Sequence, residues 1–318
     1  MSRLRELVRR FRPSHEATAH LAADILGKRS STVLDVGARW GVDEAWYALD
    51  PLARVVGFEP DPVECARLNA TIGASDKRDA ATFVPVALGG SKGQAQLHVT
   101  REPGCSSLLP PNRALVARYP ALDVMSPVSS LSVEVTTLAE WANERGSTDV
   151  AFMKLDVQGA ELDVLRGAGA TLDRCVGLEL EVEFMPLYEG QPLFGDLDVF
   201  LRARGFSLWR ISHLVHYAER HRDTLEREES AAYDNVHVTA KAGAGRLAWG
   251  HAIYLRDFAT LPDTPLLLRE LLELASLLDA MGESDGAAAA LETALSRRAS
   301  ELGAAHSRVQ AQISALRS

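Results

Sequence analysis

The chain has 318 residues, is 47% hydrophobic and 24% charged, and carries a formal net charge of -9. This is globular composition with enough apolar material for a full core, so a disordered chain is excluded, and the acidic excess argues against nucleic-acid partners, whose phosphates need a basic face. Three cysteines, Cys65, Cys105 and Cys175, lie far apart without a CxxC pair. Neither a disulfide framework nor a zinc knuckle is indicated, and a reducing cytoplasm is the expected setting. No apolar run approaches the roughly 18 residues of a membrane helix, and the N-terminus lacks the uninterrupted apolar core of a signal peptide.

The length suggests about two domains. Residues 1–30 read as an N-terminal helical segment, 31–260 as the main domain and 261–318 as a helical tail. In the first, Leu4, Leu7, Val8 and Phe11 fall at i, i+3, i+4, i+7 among five arginines, the pattern of a basic amphipathic helix. Two uses stay open for it: resting on an anionic membrane or an acidic substrate, or covering the edge of the core.

From Ser31 strand and helix signals alternate, which predicts a doubly wound α/β sheet. "STVLDVG" and "ARVVGFEP" are short buried strands. "DPVECARLNATI" is a helix with Pro62 at its first position and Val63, Ala66 and Leu68 on the apolar side. "ATFVPVALG" is a third strand, and "GQAQLHV" and "SVEVTTL" are additional antiparallel strands separated by the Gly/Pro/Ser-rich loop "TREPGCSSLLPPN". "VAFMKLDV" and "VGLELEVEF" follow as buried strands. The helix "FGDLDVFLRARGF" turns Leu197, Phe200 and Leu201 inward, stops at Gly205, and leads to the strand "FSLWRI". Beyond Pro262, Leu and Ala recur at helical spacing with a break between Gly282 and Gly286. Leu302, Val309 and Leu316 recur every seven, which leaves both packing onto the main domain and a homodimer contact open.

Two constellations carry chemistry. In "VLDVGARWGVD", Gly37 and Gly41 bracket a loop that lets a ligand approach the backbone, with Asp35 before it at the strand end. The GxGxxG spacing of a dinucleotide fold is absent. Glu59 ends the second strand 22 residues past Gly37, where an acidic group reaches ribose hydroxyls. Together they describe an adenosine pocket without a pyrophosphate cradle, and S-adenosylmethionine is the expected cofactor.

The second constellation is "FMKLDVQGAELDVLRGA", a strand, a tight turn at Gln158-Gly159 and a helix with Glu161 in its first turn and Gly167 placed for a left-handed cap. Lys154 and Asp156 share a face of this strand, as do Glu179, Glu181 and Glu183 on the next. Lys154 is expected to pair with one of these glutamates, because a buried ammonium needs a partner, or to be tuned for catalysis. Asp156 sits over the switch-point cleft, placed to contact the cofactor's amino group or the acceptor, or else to act as an ordinary helix cap.

These motifs, with "PVALGGSKGQAQLHV", "CSSL", "VEVTTLAEW" and "LELEVEFMPLYEGQPLFGDLDVFLRARGF" in order, resemble the FkbM family of S-adenosylmethionine-dependent methyltransferases over about Val33 to Phe206. "GRLAWGHAIYLRD" resembles a later block. The resemblance implies a Rossmann-like class I methyltransferase fold, seven strands mostly parallel with the last antiparallel, and O-methylation of saccharides or secondary metabolites. Carried over, Asp35, Gly37, Gly41 and Glu59 would hold the cofactor, with Ala87 beside the adenine. The sequence departs from the family at Arg39 (usually Asn), Ala139 (Asp), Gln158 (Glu) and His251 (often Asp).

A sugar hydroxyl needs a base or a metal to attack. Catalytic candidates are Asp156, His213, Lys154 and Glu183, with His216, His251 and Glu181 as further candidate bases, although His213 and His216 fit equally well as surface histidines. Ser106, Ser107, His216 and His251 are candidates for substrate contact, with a simple turn the alternative for the two serines. A carboxylate cluster could bind a divalent cation, but no spacing demands one, so no metal ligands are assigned. Two alternatives stand beside the methyltransferase: a non-catalytic binding protein using its helical tail, and a nucleotide-sugar oxidoreductase, for which no Tyr-x-x-x-Lys relay is evident.

Overall fold

The computed structural model describes residues 16–42, 44–146, 149–217, 230–233, 236–239 and 245–318. The amphipathic segment from Leu4 to Phe11 lies outside the described residues.

The chain runs α1 (Glu16–Leu26), β1 (Ser31–Val36), β2 (Ala53–Phe58), α2 (Pro62–Gly73), β3 (Ala81–Val84), β4 (Ala87–Leu88), β5 (Gly93–Thr100), β6 (Pro127–Thr136), α3 (Leu138–Glu144) and β7 (Val150–Leu155). It continues through α4 (Glu161–Arg166), α5 (Ala170–Arg174), β8 (Gly177–Glu183), α6 (Phe194–Arg202), β9 (Phe206–Tyr217), β10 (Ser230–Tyr233), β11 (Val236–Thr239) and β12 (Arg246–Arg256). Helices α7 (Leu267–Ala280), α8 (Ser284–Leu302) and α9 (His306–Leu316) complete it.

The main sheet has the order β3-β2-β1-β7-β8-β12-β9. Strands β3, β2, β1, β7 and β8 are parallel, and β12, the last in the chain, runs antiparallel to both β8 and β9. This is the class I methyltransferase topology. A separate three-stranded sheet, β4-β6-β5, and a β10-β11 pair are the additional strands.

Both faces of the main sheet are covered, which is why its strands read as continuous apolar runs. Leu34, Met153, Leu178 and Leu180 face α3 to α6. Val33, Phe152, Val176 and Ile253 face the other way and share one core with Leu271, Leu278, Leu291 and Val309 of the tail. The tail is pinned at its polar positions too: Ser31 Oγ donates to Glu273 Oε1 at 2.6 Å, and Arg174 Nη2 reaches both oxygens of Glu273 at 3.1 and 3.0 Å. Each fully buried leucine contributes roughly 1.5–3 kcal/mol, so α7 is held as firmly as any sheet helix. Leu302 and Val309 of the seven-residue stripe are buried inside this same core.

Four local expectations change. "ATFVPVALG" splits into β3 and β4 in different sheets, because Pro85 has no N–H to continue the ladder. In α2, Asp61 caps the first turn as Pro62 requires, accepting from Val63 N at 3.0 Å, but Val63 is 78% exposed and Cys65 and Leu68 form the buried side. Gly167 is right-handed; its glycine is required because a Cβ there would stand 2.2 Å from the Gly89 carbonyl. His213 and His216 lie within β9, which runs on past Ile211.

Candidate functional site

Three strand ends build the cleft. Gly37 N and Ala38 N donate to Phe58 O at 3.1 and 3.0 Å, and Asp156 N donates to Val36 O at 2.9 Å, so β1, β2 and β7 end in mutual contact. Gly37 has φ +86°, and a Cβ on it would meet the Asp156 carbonyl oxygen at 1.9 Å. Its missing side chain makes room for the neighbouring strand's backbone as well as for the cavity it lines. Gly41, at φ +88°, closes the turn by donating to Ala38 O at 2.9 Å and stands outside the cavity lining.

The cleft opens at these strand ends, half open to solvent and walled mainly by apolar side chains. Of the residues singled out in the sequence, Gly37, Arg39, Glu59, Ala87, Ser106, Ser107, Asp156 and Gln158 line it, whereas Asp35, Lys154, Glu183, His213, His216 and His251 do not. Phe58 and Leu88 supply apolar wall beside Glu59. Glu59 accepts from Asp61 N at 2.8 Å and faces Arg39 at 3.7 Å; burial pushes its carboxyl up to about 7 despite that guanidinium. Arg39 also lies 3.5 Å from Asp61, so the arginine of the first loop is tied to the acidic end of β2.

Ser106 and Ser107 fasten the loop they stand on. Ser107 Oγ donates to Gln158 O at 2.8 Å and accepts from Leu109 N at 3.0 Å, while Ser106 Oγ accepts from Thr100 N at 3.3 Å.

A polar row crosses the sheet beside the cleft. Asp35, Lys154 and Glu179 are register partners on β1, β7 and β8, as are Glu181, His251 and Ser212 on β8, β12 and β9. Lys154 pairs with Asp35 at 3.6 Å and with Asp156 at 3.5 Å, a different pairing from the glutamates of β8. The reason is local: Asp35 is buried at the end of β1 and takes the ammonium beside it as counter-charge. Glu179 turns instead to His251, Oε1 to Nδ1 at 3.2 Å. Burial alone would raise Asp156, but Lys154, His251 and the Gln158 amide outweigh it and hold the carboxyl below its usual range.

Gln158 adopts φ +58° and connects the turn to β8. Its Nε2 donates to Asp156 Oδ1 at 2.9 Å and to Glu181 Oε2 at 2.5 Å, and its Oε1 lies 2.7 Å from the Tyr188 hydroxyl. Glu161 Oε1 accepts from Val157 N at 2.8 Å and Gly159 N at 3.3 Å, so it secures the turn ahead of its own helix; burial pushes its carboxyl up to about 8. Glu181 and Glu183 are buried beside it and raised well above the usual carboxylate range by burial and by the neighbouring acids.

His213 is exposed, at φ +52°, with its ring 5.4 Å from that of His251; His216 is half-buried opposite Leu247. Sequence reasoning missed Tyr188 and gave Glu161 only a helix-dipole role. The signal available for Glu161 was its spacing from the Gln158-Gly159 turn, whose backbone N–H groups needed an acceptor.

The profile described as Methyltransferase FkbM domain matches residues 35–208, more than half of the chain. The chain is 31% identical over 208 residues to the 2-O-methyltransferase NoeI of Sinorhizobium fredii (strain NBRC 101917 / NGR234), covering 62% of this chain and 83% of that protein. Among solved structures, the methyltransferase FkbM from Methylobacillus flagellatus KT aligns at 14% identity with a TM-score of 0.37; 71% of this chain is covered, and it spans 43% of that one. The magnesium protoporphyrin IX methyltransferase of Synechocystis PCC 6803, solved with bound SAM, aligns at 13% identity with a TM-score of 0.32 over 77% of this chain and 78% of that one. Together with a methyltransferase topology and a cleft at its strand ends, the matched domain makes this chain an enzyme of the FkbM methyltransferase family.

Proposed function

We propose that this chain is an S-adenosylmethionine-dependent O-methyltransferase acting on a hydroxyl of a saccharide or another hydroxylated metabolite. Membership of a methyltransferase family implies that cofactor, and the cleft suits it: an apolar wall of Phe58, Ala87 and Leu88 for adenine, and the buried Glu59 carboxylate for the ribose diol. When bound, the cofactor supplies a methyl group on a sulfonium, open to in-line displacement.

The observation that carries the reading is Asp156. It lines the cavity and belongs to the polar row with Lys154, within electrostatic reach of His251. Its carboxylate is placed to accept from the cofactor's amino group or the acceptor. His251 is assigned the proton: with Nδ1 directed at Glu179, Nε2 is left to take it from the acceptor hydroxyl, and Glu179 steadies the imidazolium formed. His213 stacks edge-on beside that ring, and Lys154 holds Asp156 ionised. NoeI is by name a 2-O-methyltransferase, which favours a hydroxyl acceptor here.

The test is transfer of labelled methyl from S-adenosylmethionine to a panel of methyl glycosides, with wild type and His251→Gln compared. Transfer to at least one sugar hydroxyl, with kcat lowered about 10²-fold or more in the variant as for a lost general base, is expected. Transfer only to an amine or thiol acceptor, or equal kcat in the variant, would overturn the assignment.

A further inference from the structure

Behind Gln158, where the polar row meets the end of β8 at Glu181, three carboxylates converge. Glu161 on α4 and Glu181 and Glu183 on β8 are each buried to at least 97%, and each offers an oxygen within 4.8 Å of the others. Two oxygens that both touch one ion at ~2.4 Å would be about 4.8 Å apart at most. The spacing therefore suits a shared cation.

Two further observations separate this cluster from an ordinary acidic patch. Glu183 Oε2 is buried and accepts no well-formed hydrogen bond among the described residues; the amide of Gln191, whose Nε2 is likewise unpartnered, acts on its carboxyl, while Glu161 Oε1 accepts from Val157 N and Gly159 N and Glu181 Oε2 from Gln158. No Lys or Arg within ion-pair distance serves any of the three among the described residues, whereas the buried Glu273 has both Arg174 and Arg269. Buried carboxylates without a cationic partner are costly unless they coordinate a metal or take up protons.

We propose that Glu161, Glu181 and Glu183 bind a hard divalent cation, Mg²⁺, Mn²⁺ or Ca²⁺. An all-oxygen donor set selects such ions over zinc or copper, which prefer nitrogen and sulfur. The cation ties β8 to the turn from Asp156 to Glu161, so its role is positional: it holds the strand end that presents Asp156 to the cleft. The proposal does not depend on which acceptor is methylated.

The test uses the full chain after dialysis against EDTA. Mn²⁺ binding is followed by electron paramagnetic resonance, and Mg²⁺, Mn²⁺ and Ca²⁺ are each added in thermal melts, with S-adenosylhomocysteine binding measured on the same sample. One Mn²⁺ per chain and a melting midpoint several degrees higher with metal are expected, both weakened at least about tenfold in affinity in Glu183→Gln and Glu181→Gln. Failure of wild type to bind any of the three ions up to about 10 mM, above the ~10⁻³ M of weak protein calcium sites, would overturn it and leave the three acids neutral by protonation. Metal binding unchanged in both variants would also overturn it. Loss of S-adenosylhomocysteine binding with metal binding intact would count against the cofactor reading instead.

Discussion

The side-chain amide of Gln158 stands between two carboxylates, 2.9 Å from Asp156 Oδ1 and 2.5 Å from Glu181 Oε2. A neutral donor there satisfies two acids at once, and its own oxygen faces the Tyr188 hydroxyl at 2.7 Å. Gln158→Leu keeps the volume and removes all three hydrogen bonds. Buried polar groups left without partners cost roughly 1–3 kcal/mol each, so the variant is expected to lose about 2–4 kcal/mol in urea unfolding and to bind S-adenosylhomocysteine more weakly. A loss under about 0.5 kcal/mol, the scale of a neutral surface change, would show that this network does not hold the turn.

Gly37 and Gly41 differ in what they require, although both have positive φ. Ala at 37 puts a methyl 1.9 Å from the Asp156 carbonyl, while Ala at 41 meets only Leu68 Cδ2 at 3.7 Å. Gly41→Ala is expected to cost about 1 kcal/mol of left-handed strain. Gly37→Ala must push β1 and β7 apart as well and is expected to cost about 3 kcal/mol or more, in the range of severe overpacking. Equal midpoints in thermal melts would contradict this reading.

Glu59 gives the site a pH dependence whose sign is fixed by the direction of its shift. Its carboxyl is raised from 4.5 to about 7, so folding disfavours the ion: the penalty is absent below about pH 4.5 and fully present above about 7. Glu59→Gln is therefore expected to be more stable than wild type at pH 8, by on the order of 3 kcal/mol at most, with the gap closing toward pH 4.5. Cofactor affinity should move the other way in wild type, strengthening as pH rises through about 7 and the carboxylate becomes available to the ribose. Chemical unfolding and calorimetry over pH 5 to 8 check both.

Glu273 anchors the tail to the sheet. Replacing it by Gln leaves the guanidinium of Arg174, itself 8% exposed, without its counter-charge. Breaking a buried pair from one side costs about 3–5 kcal/mol, so Glu273→Gln is expected to lower the unfolding midpoint cooperatively for the whole chain. A separate early transition confined to the helices would contradict the single core that joins Leu271 and Phe152.

The sheet was legible in the sequence because its central parallel strands, β1, β2, β7 and β8, are largely buried on both faces and end at a glycine or an acid, as in "STVLDVG" and "ARVVGFEP". Glu59 was legible from its distance to Gly37. The partner of Lys154 was not, because strand pairing tells which residues share a face but not which of several carboxylates is closest. Tyr188 was hidden for a similar reason: it reaches Gln158 from a loop 30 residues away, with no periodic pattern to mark it. Nor could the sequence reveal that Glu161, Glu181 and Glu183 meet, since that depends on how α4 packs against the end of β8.

Calorimetric titration of S-adenosylmethionine and S-adenosylhomocysteine into wild type and Glu59→Gln tests most directly whether the cleft at Gly37, Glu59 and Asp156 holds the methyl donor. One equivalent of each bound by wild type, with affinity about 10- to 100-fold weaker in the variant as for a lost charged hydrogen bond, is the expected result. No binding to wild type, or equal affinity in both proteins, would contradict the assignment of this cleft.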